Sequence, residues 1–313
     1  MGGSGSGGPF DYRSPQDLAK LVRKAQDATS VAGFETELSG ALTELLGAFN
    51  DRDVELVQER LDDIKLALEG SIEGTIDQMF GGSVAKHTYV DGLSDIDSLL
   101  IINDSGLETA SPRDAIEQIT SILQARSGDK AVVTHGNMAV TLEFKDGMKL
   151  QLLPAIRTQS GSLRVHSSRG EEWSRIDPKA FQEALTRRNN ECGGKLVPTI
   201  KLAKAINGTL PESQRLTGYH IESLAIAAFR NYGGPKTTSA MLPTFFEKAK
   251  DLVLNPIRDS TGQSVHVDDY LGDRNSEDRQ NASHLLGRIW KRMRNSSAAG
   301  SIAQWRALFG LDE

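Results

Sequence analysis

The chain has 313 residues, 38% of them hydrophobic and 25% charged, a globular composition long enough for one large domain or two that share an interface. The 36 Lys+Arg against 42 Asp+Glu leave a formal charge of -6, which disfavours indiscriminate binding to a phosphate backbone but leaves room for a local basic patch. No apolar run of about 18 residues and no export-type leader is present, so the expectation is a cytoplasmic protein with no membrane span, and the single Cys192 excludes an internal disulfide and a Cys-rich zinc site.

Residues 1–10 are Gly/Ser linker chemistry of the kind left by expression and are set aside from the fold. Ser14-Pro15 reads as the cap and first residue of a helix, and a second helix is expected from Phe34 to Phe49. Between Asp51 and Phe80, Val54, Val57, Leu61, Ile64, Leu68, Ile72, Ile76 and Met79 recur at helical spacing, which predicts one long amphipathic helix closed by Gly81-Gly82. The period then changes. Ser98-Leu99-Leu100-Ile101-Ile102 reads as a buried strand, Ser111-Pro112 opens a helix toward Arg126, and Ala139 to Phe144 and Met148 to Leu153 form strands around Lys145-Asp146-Gly147, a strong hairpin signal. From Pro178 onward the chain reads helical: Pro178 to Asn190, Lys195 to Asn207, Gly218 to Asn231, Leu242 to Leu254, Ser276 to Arg294 and Ile302 to Phe309. The pattern is a small sheet with helices against it, followed by a helical region.

The chemistry concentrates at Phe80-Gly81-Gly82-Ser83 and Ser94-Asp95-Ile96-Asp97, which leads into the strand. Carboxylates at i and i+2 of a strand share a face, so Asp95 and Asp97 can meet one or two Mg²⁺ ions. Such ions clamp triphosphate oxygens and an attacking hydroxyl in line. Gly82 lets the backbone approach a phosphate, and Ser83 adds a hydroxyl and an N–H.

Gly-Ser, eleven residues, then Asp-apolar-Asp on an apolar strand resembles the signature of the polymerase β-like nucleotidyltransferases. The resemblance narrows with Gly82-Ser83-Val84-Ala85-Lys86-His87-Thr88, Gly170-Glu171-Glu172-Trp173, Asp177-Pro178-Lys179-Ala180-Phe181, Leu196 to Lys204, Thr217-Gly218-Tyr219-His220-Ile221-Glu222, Pro256-Ile257-Arg258-Asp259 and Trp305 to Gly310. Together these are similar, over residues 75–310, to the bacterial cGAS/DncV-like nucleotidyltransferases (CD-NTases). The resemblance implies an α+β fold: a nucleotidyltransferase palm, a small mixed sheet with helices, plus a C-terminal helical lobe. The expected domains are an N-terminal unit with the catalytic sheet over 11–177 and a helical lobe over 178–313, which the helices before Asp51 join in space. The nucleotide cleft is expected between the two lobes.

The same resemblance implies Mg²⁺ or Mn²⁺ at Asp95 and Asp97, triphosphate contacts from Gly82, Ser83 and Lys201, and base stacking by Tyr219. It implies that nucleoside triphosphates are joined into a cyclic or linear oligonucleotide messenger of antiphage defence, which activates a separate effector protein. Neither zinc nor a nucleic-acid activator is indicated. A transferase that modifies tRNA or protein, and a non-catalytic nucleotide-binding regulator, are the alternatives.

Gln151 stands where the family carries a third acid, either as a natural replacement or as an engineered change from Glu. An amide can orient a cation but takes no proton at neutral pH. Glu143 is expected to pair with Leu150 across a two-residue turn and so to face away from Gln151. Gly218 replaces a serine that relatives often carry. His266 to Asp269 reads as a solvated loop, and Arg288, Lys291, Arg292 and Arg294 around Trp290 read as a solvated face or as a nucleotide or partner surface.

Overall fold

The computed structural model describes residues 15–48, 54–72, 75–80, 96–103, 107, 110–136, 139–158, 161–166, 173–257 and 268–311. The elements in chain order are α1 (Pro15–Ala48), α2 (Val54–Glu69), β1 (Thr75–Phe80), β2 (Ile96–Asn103), α3 (Pro112–Ser127), β3 (Ala131–His135), β4 (Val140–Phe144), β5 (Lys149–Arg157), β6 (Leu163–His166) and β7 (Trp173–Ile176). The helices α4 (Pro178–Glu191), α5 (Leu196–Gly208), α6 (Gly218–Ala228), α7 (Thr238–Leu252), α8 (Glu277–Ala298) and α9 (Ile302–Arg306) follow.

The sheet is mixed, in the order β1-β2-β5-β4-β3, with β6 pairing the end of β5 and β7 pairing β6. Among the described residues only the central β2–β5 pair is parallel; the other neighbours are antiparallel. One face is closed by helices. Leu100 and Ile102 of β2 and Leu150, Leu152 and Ile156 of β5 pack with Val57, Leu61, Ile64 and Leu68 of α2 and Ile116, Ile119 and Leu123 of α3. Ser111 caps α3 by accepting the Asp114 N–H at 3.1 Å, with Pro112 at the first helical position, where a missing N–H costs nothing. The opposite face carries a smaller cluster of Leu99, Ile101, Ala155, Leu163 and Val165.

The larger core belongs to the helices. Leu38 and Leu42 of α1 join Phe181, Ile200, Leu224, Phe229, Phe245, Met293 and Trp305 from α4 onward in one cluster. Side-chain caps mark five of these helix starts: Asp177 on the Ala180 N–H, Thr217 on His220, Thr237 on Ala240, Ser276 on Arg279 and Ser301 on Gln304, each satisfying a donor the helix itself leaves open. Cys192 is buried in this core, where burial pushes its thiol pKa up.

Three expectations need correction. The two helices before Asp51 are one, α1, of 34 residues. The long amphipathic pattern after Asp51 is broken: α2 ends at Glu69, and Thr75–Phe80, with Ile76 and Met79, forms β1 against β2. A run that satisfies a helical period can also satisfy a strand when an edge is available to pair with, and here Ile76 pairs with Ile102 and Met79 with Leu99. Finally, the β4–β5 hairpin has a three-residue loop, Lys145-Asp146-Gly147. Phe144 donates to Met148 O at 2.8 Å, and Gly147 closes the loop at φ 87, a left-handed conformation that glycine reaches without a Cβ penalty. The register moves by one, so Glu143 pairs with Lys149 and Thr141 with Gln151. Glu143 therefore shares a face with Gln151, contrary to expectation.

Candidate active site

The parallel register sets Asp97 of β2 beside Gln151 of β5, and the antiparallel register sets Gln151 beside Thr141 of β4. One row across the sheet thus runs Asp97, Gln151, Thr141, on the face opposite α2 and α3. Gln151 is half-buried. One row along, the Glu143 carboxylate lies 3.3 Å from the Lys149 ammonium, both about half exposed. Gly82, Ser83 and Asp95, with His87, lie outside the described residues, and Asp97 is described for its place in the strand.

In the helical unit, Lys201 of α5 is half-buried, and its pKa is held below the usual lysine value by burial and then by the positive charge of Lys204. Tyr219, the second residue of α6, packs its ring on Phe181 with centroids 4.5 Å apart and planes at 42°. Phe181 is buried while Tyr219 is partly so, so the phenol ring is backed on one side by the core.

The structure adds residues that sequence reasoning missed. Lys204 and Glu222 form an ion pair at 2.8 Å with side chains 5% and 1% exposed. The Lys204 ammonium also lies at the start of α6, where a Cβ on Gly218 would come within 3.3 Å of it. A signal was available: Lys204 and Glu222 each interrupt a run of apolar helix residues, and a charge at a core position needs a partner.

A second buried network surrounds His220. The Tyr270 hydroxyl accepts the Thr217 N–H at 3.2 Å and lies 2.8 Å from His220 Nδ1. His220 Nε2 is 3.6 Å from Asp268 Oδ2, and Arg279 binds the same carboxylate oxygen at 2.6 Å. His220, Asp268 and Arg279 side chains are fully buried. Burial, opposed by Asp268 and aided by Arg279, pulls the His220 pKa down to about 4. Asp268 is thus no solvated loop residue.

Arg288, Lys291, Arg292 and Arg294 are exposed on α8, and Trp290 has the Lys250 and Arg294 cations 5.8 and 5.1 Å from its ring centre.

The mixed sheet with a helical C-terminal region is the polymerase β-like nucleotidyltransferase fold. Residues 40–189 match the family model of the Second Messenger Oligonucleotide or Dinucleotide Synthetase domain, which, with the fold, supports the resemblance to the cGAS/DncV-like nucleotidyltransferases. Among solved structures, CdnG of Bradyrhizobium diazoefficiens in complex with GTP is similar with a TM-score of 0.60 and 15% identity, covering 82% of this chain and 89% of that one. The cyclic AMP-GMP synthase DncV of Vibrio cholerae has a TM-score of 0.59 at 12% identity, covering 96% and 92%. The CdnE cyclic dinucleotide synthase of Elizabethkingia meningoseptica has 0.56 at 14%, covering 75% and 90%. No curated protein matches the sequence. No helix among the described residues is long and apolar enough to cross a membrane.

Proposed function

We propose that the protein joins nucleoside triphosphates into a cyclic or linear oligonucleotide second messenger, made in the cytoplasm during antiphage defence and read by a separate effector protein. The observation that carries this reading is the Asp97–Gln151 row on the parallel β2–β5 pair, inside the region that matches a second-messenger synthetase domain. Asp95 and Asp97 would hold Mg²⁺ or Mn²⁺, whose donor preference is for carboxylate oxygens. Among the described residues no group of three or more His, Cys, Asp or Glu is set to hold a metal, so the fit rests on the strand register and on the carboxylates at 95 and 97. When bound, the ions neutralise the triphosphate and favour attack of a hydroxyl on its α-phosphate, with pyrophosphate leaving.

The chain's own groups do the rest. Gly82 and Ser83 cradle phosphates through backbone N–H groups, and the half-buried Lys201 adds an ammonium to the terminal phosphate oxygens. Tyr219, packed on Phe181, would stack on a base. Gln151 orients through its amide but accepts no proton, so the site as it stands favours nucleotide binding over turnover. That asymmetry gives weight to a second reading, a non-catalytic nucleotide-binding regulator.

The test is incubation with each labelled triphosphate and Mg²⁺ or Mn²⁺, with mass analysis of products, for the chain as given and for Gln151→Glu. Restoring the acid should raise pyrophosphate release by about 10² to 10⁴-fold. Robust, equal activity in both would show that Gln151 is not the third-acid position and would turn the search to Glu143 on the same face. Nucleotide binding without turnover in either would favour the regulator, and a labelled RNA or protein adduct would favour the macromolecule-modifying transferase.

A further inference from the structure

We propose that Tyr270 is a positioning residue for the nucleotide, its hydroxyl fixing the first turn of α6 so that the Tyr219 ring is held ready to stack on the base. The inference rests on the reading of Tyr219 above and adds what holds that ring in place.

The Tyr270 hydroxyl touches residues on both sides of the Gly218-Tyr219 step. It accepts the Thr217 N–H at 3.2 Å and meets His220 Nδ1 at 2.8 Å. The oxygen accepts from Thr217 and is paired with Nδ1, the direction of that bond following the His220 tautomer, while Nε2 faces Asp268 3.6 Å away. Thr217 also caps His220 N–H through Oγ1 at 3.2 Å. Gly218, between them, is exposed, and glycine loses more conformational entropy on ordering than any other residue.

The far end of the network is anchored. Asp268 accepts the Ile257 N–H and the Arg279 guanidinium, and Arg279 also donates to the carbonyls of Val253 and Gly272, each at 3.0 Å. Tyr270 sits in the 3₁₀ turn Asp269–Leu271 that this clamp holds. Its residue surface is 47% exposed, so the ring is no core element. The hydroxyl end is enclosed, and burial pushes its pKa up to about 12. The ring also meets the His220 ring edge-on, centroids 5.8 Å apart, a contact that Tyr270→Phe keeps, so that variant isolates the two hydrogen bonds by which the hydroxyl binds both flanks of Gly218-Tyr219.

Equilibrium binding of ATP, GTP and inorganic tripolyphosphate, with Mg²⁺, to the full chain and to Tyr270→Phe, Tyr219→Ala and the double variant tests this. Tyr270→Phe should weaken nucleoside triphosphate binding about 5- to 10-fold, leave tripolyphosphate binding unchanged, and add nothing once Tyr219 is Ala. Equal loss for triphosphate with and without a base, or a further loss in the Tyr219→Ala background, would show a general structural effect and overturn the proposal. Weakened Tyr219→Ala beside an unchanged Tyr270→Phe overturns the proposal alone; an unchanged Tyr219→Ala overturns the stacking reading and the proposal with it. If Tyr270→Phe does not fold, His220→Asn, which keeps an acceptor for the phenol, should retain base-dependent binding, and its loss would overturn the proposal.

Discussion

His220 makes acid destabilisation measurable. Its imidazole is neutral and enclosed, with the Tyr270 hydroxyl on Nδ1, the Asp268 carboxylate facing Nε2, the Arg279 guanidinium behind that carboxylate, and the Lys204–Glu222 pair on the same helix pair. Its pKa falls from an ordinary 6.5 to about 4 in the fold. The unfolded chain therefore binds more protons than the folded one between those values, so the contribution is complete above pH 6.5 and is lost as the pH falls toward 4. At pH 4.5 the loss is about 2.5 kcal/mol, a large fraction of a typical domain's stability. Denaturant unfolding of the wild type and His220→Gln at pH 7.5 and 4.5 separates this group from the surface carboxylates, which titrate in both. The stability difference between the two proteins should shift by about that amount in favour of the variant at low pH. Parallel pH dependences would mean that His220 titrates in the folded state as it does in water, and the enclosed neutral imidazole would be wrong.

Lys204→Met leaves Glu222 buried without its counter-ion and should cost about 3–5 kcal/mol of stability, seen as a lowered thermal midpoint; Lys204→Met with Glu222→Leu should recover most of it, and a single variant of unchanged stability would show that the pair is solvated. Asp95→Ala with Asp97→Ala should abolish metal-dependent ATP binding with little change in unfolding midpoint, because two adjacent carboxylates repel one another; retained Mg²⁺-dependent binding by calorimetry would remove both from the site.

The parts of the fold that could be read from the sequence are those with a single dominant signal. Ser111-Pro112 and Asp177-Pro178 place a cap and a proline together, and both helices begin at that proline. Leu99 to Ile102 is continuous apolar sequence of the kind a strand covered on both faces requires, and β2 contains it. Pairing was harder. Lys145-Asp146-Gly147 announces a hairpin, but whether the glycine ends a two- or three-residue loop depends on a positive φ that the sequence permits without requiring, and that one residue decides the face of Glu143. β1 was hidden because Ile72, Ile76 and Met79 fit a helical period, whereas the partner that makes Thr75–Phe80 a strand arrives only with β2. The site divides in the same way: Asp97 and Gln151 are neighbours through register, and Lys201 and Tyr219 stood out by resemblance. The roles of Lys204, His220, Asp268 and Arg279, the last two in a stretch that reads as a solvated loop and on the helix after it, are fixed by pairings between different elements that the sequence does not display.

The placement of α1 bears on the order in which the molecule is assembled. Leu38 and Leu42 belong to a core whose other members begin at Phe181 and extend to Phe309, whereas the sheet core draws only on residues between Val57 and Trp173. During synthesis the sheet unit emerges whole and can close at once, while α1 must wait with its apolar stripe uncovered until the helices after Pro178 that it packs on arrive. A helix held open for so long is where a chaperone would be expected to bind the nascent chain, and slowing translation after Pro178 should lengthen that exposure without delaying the sheet.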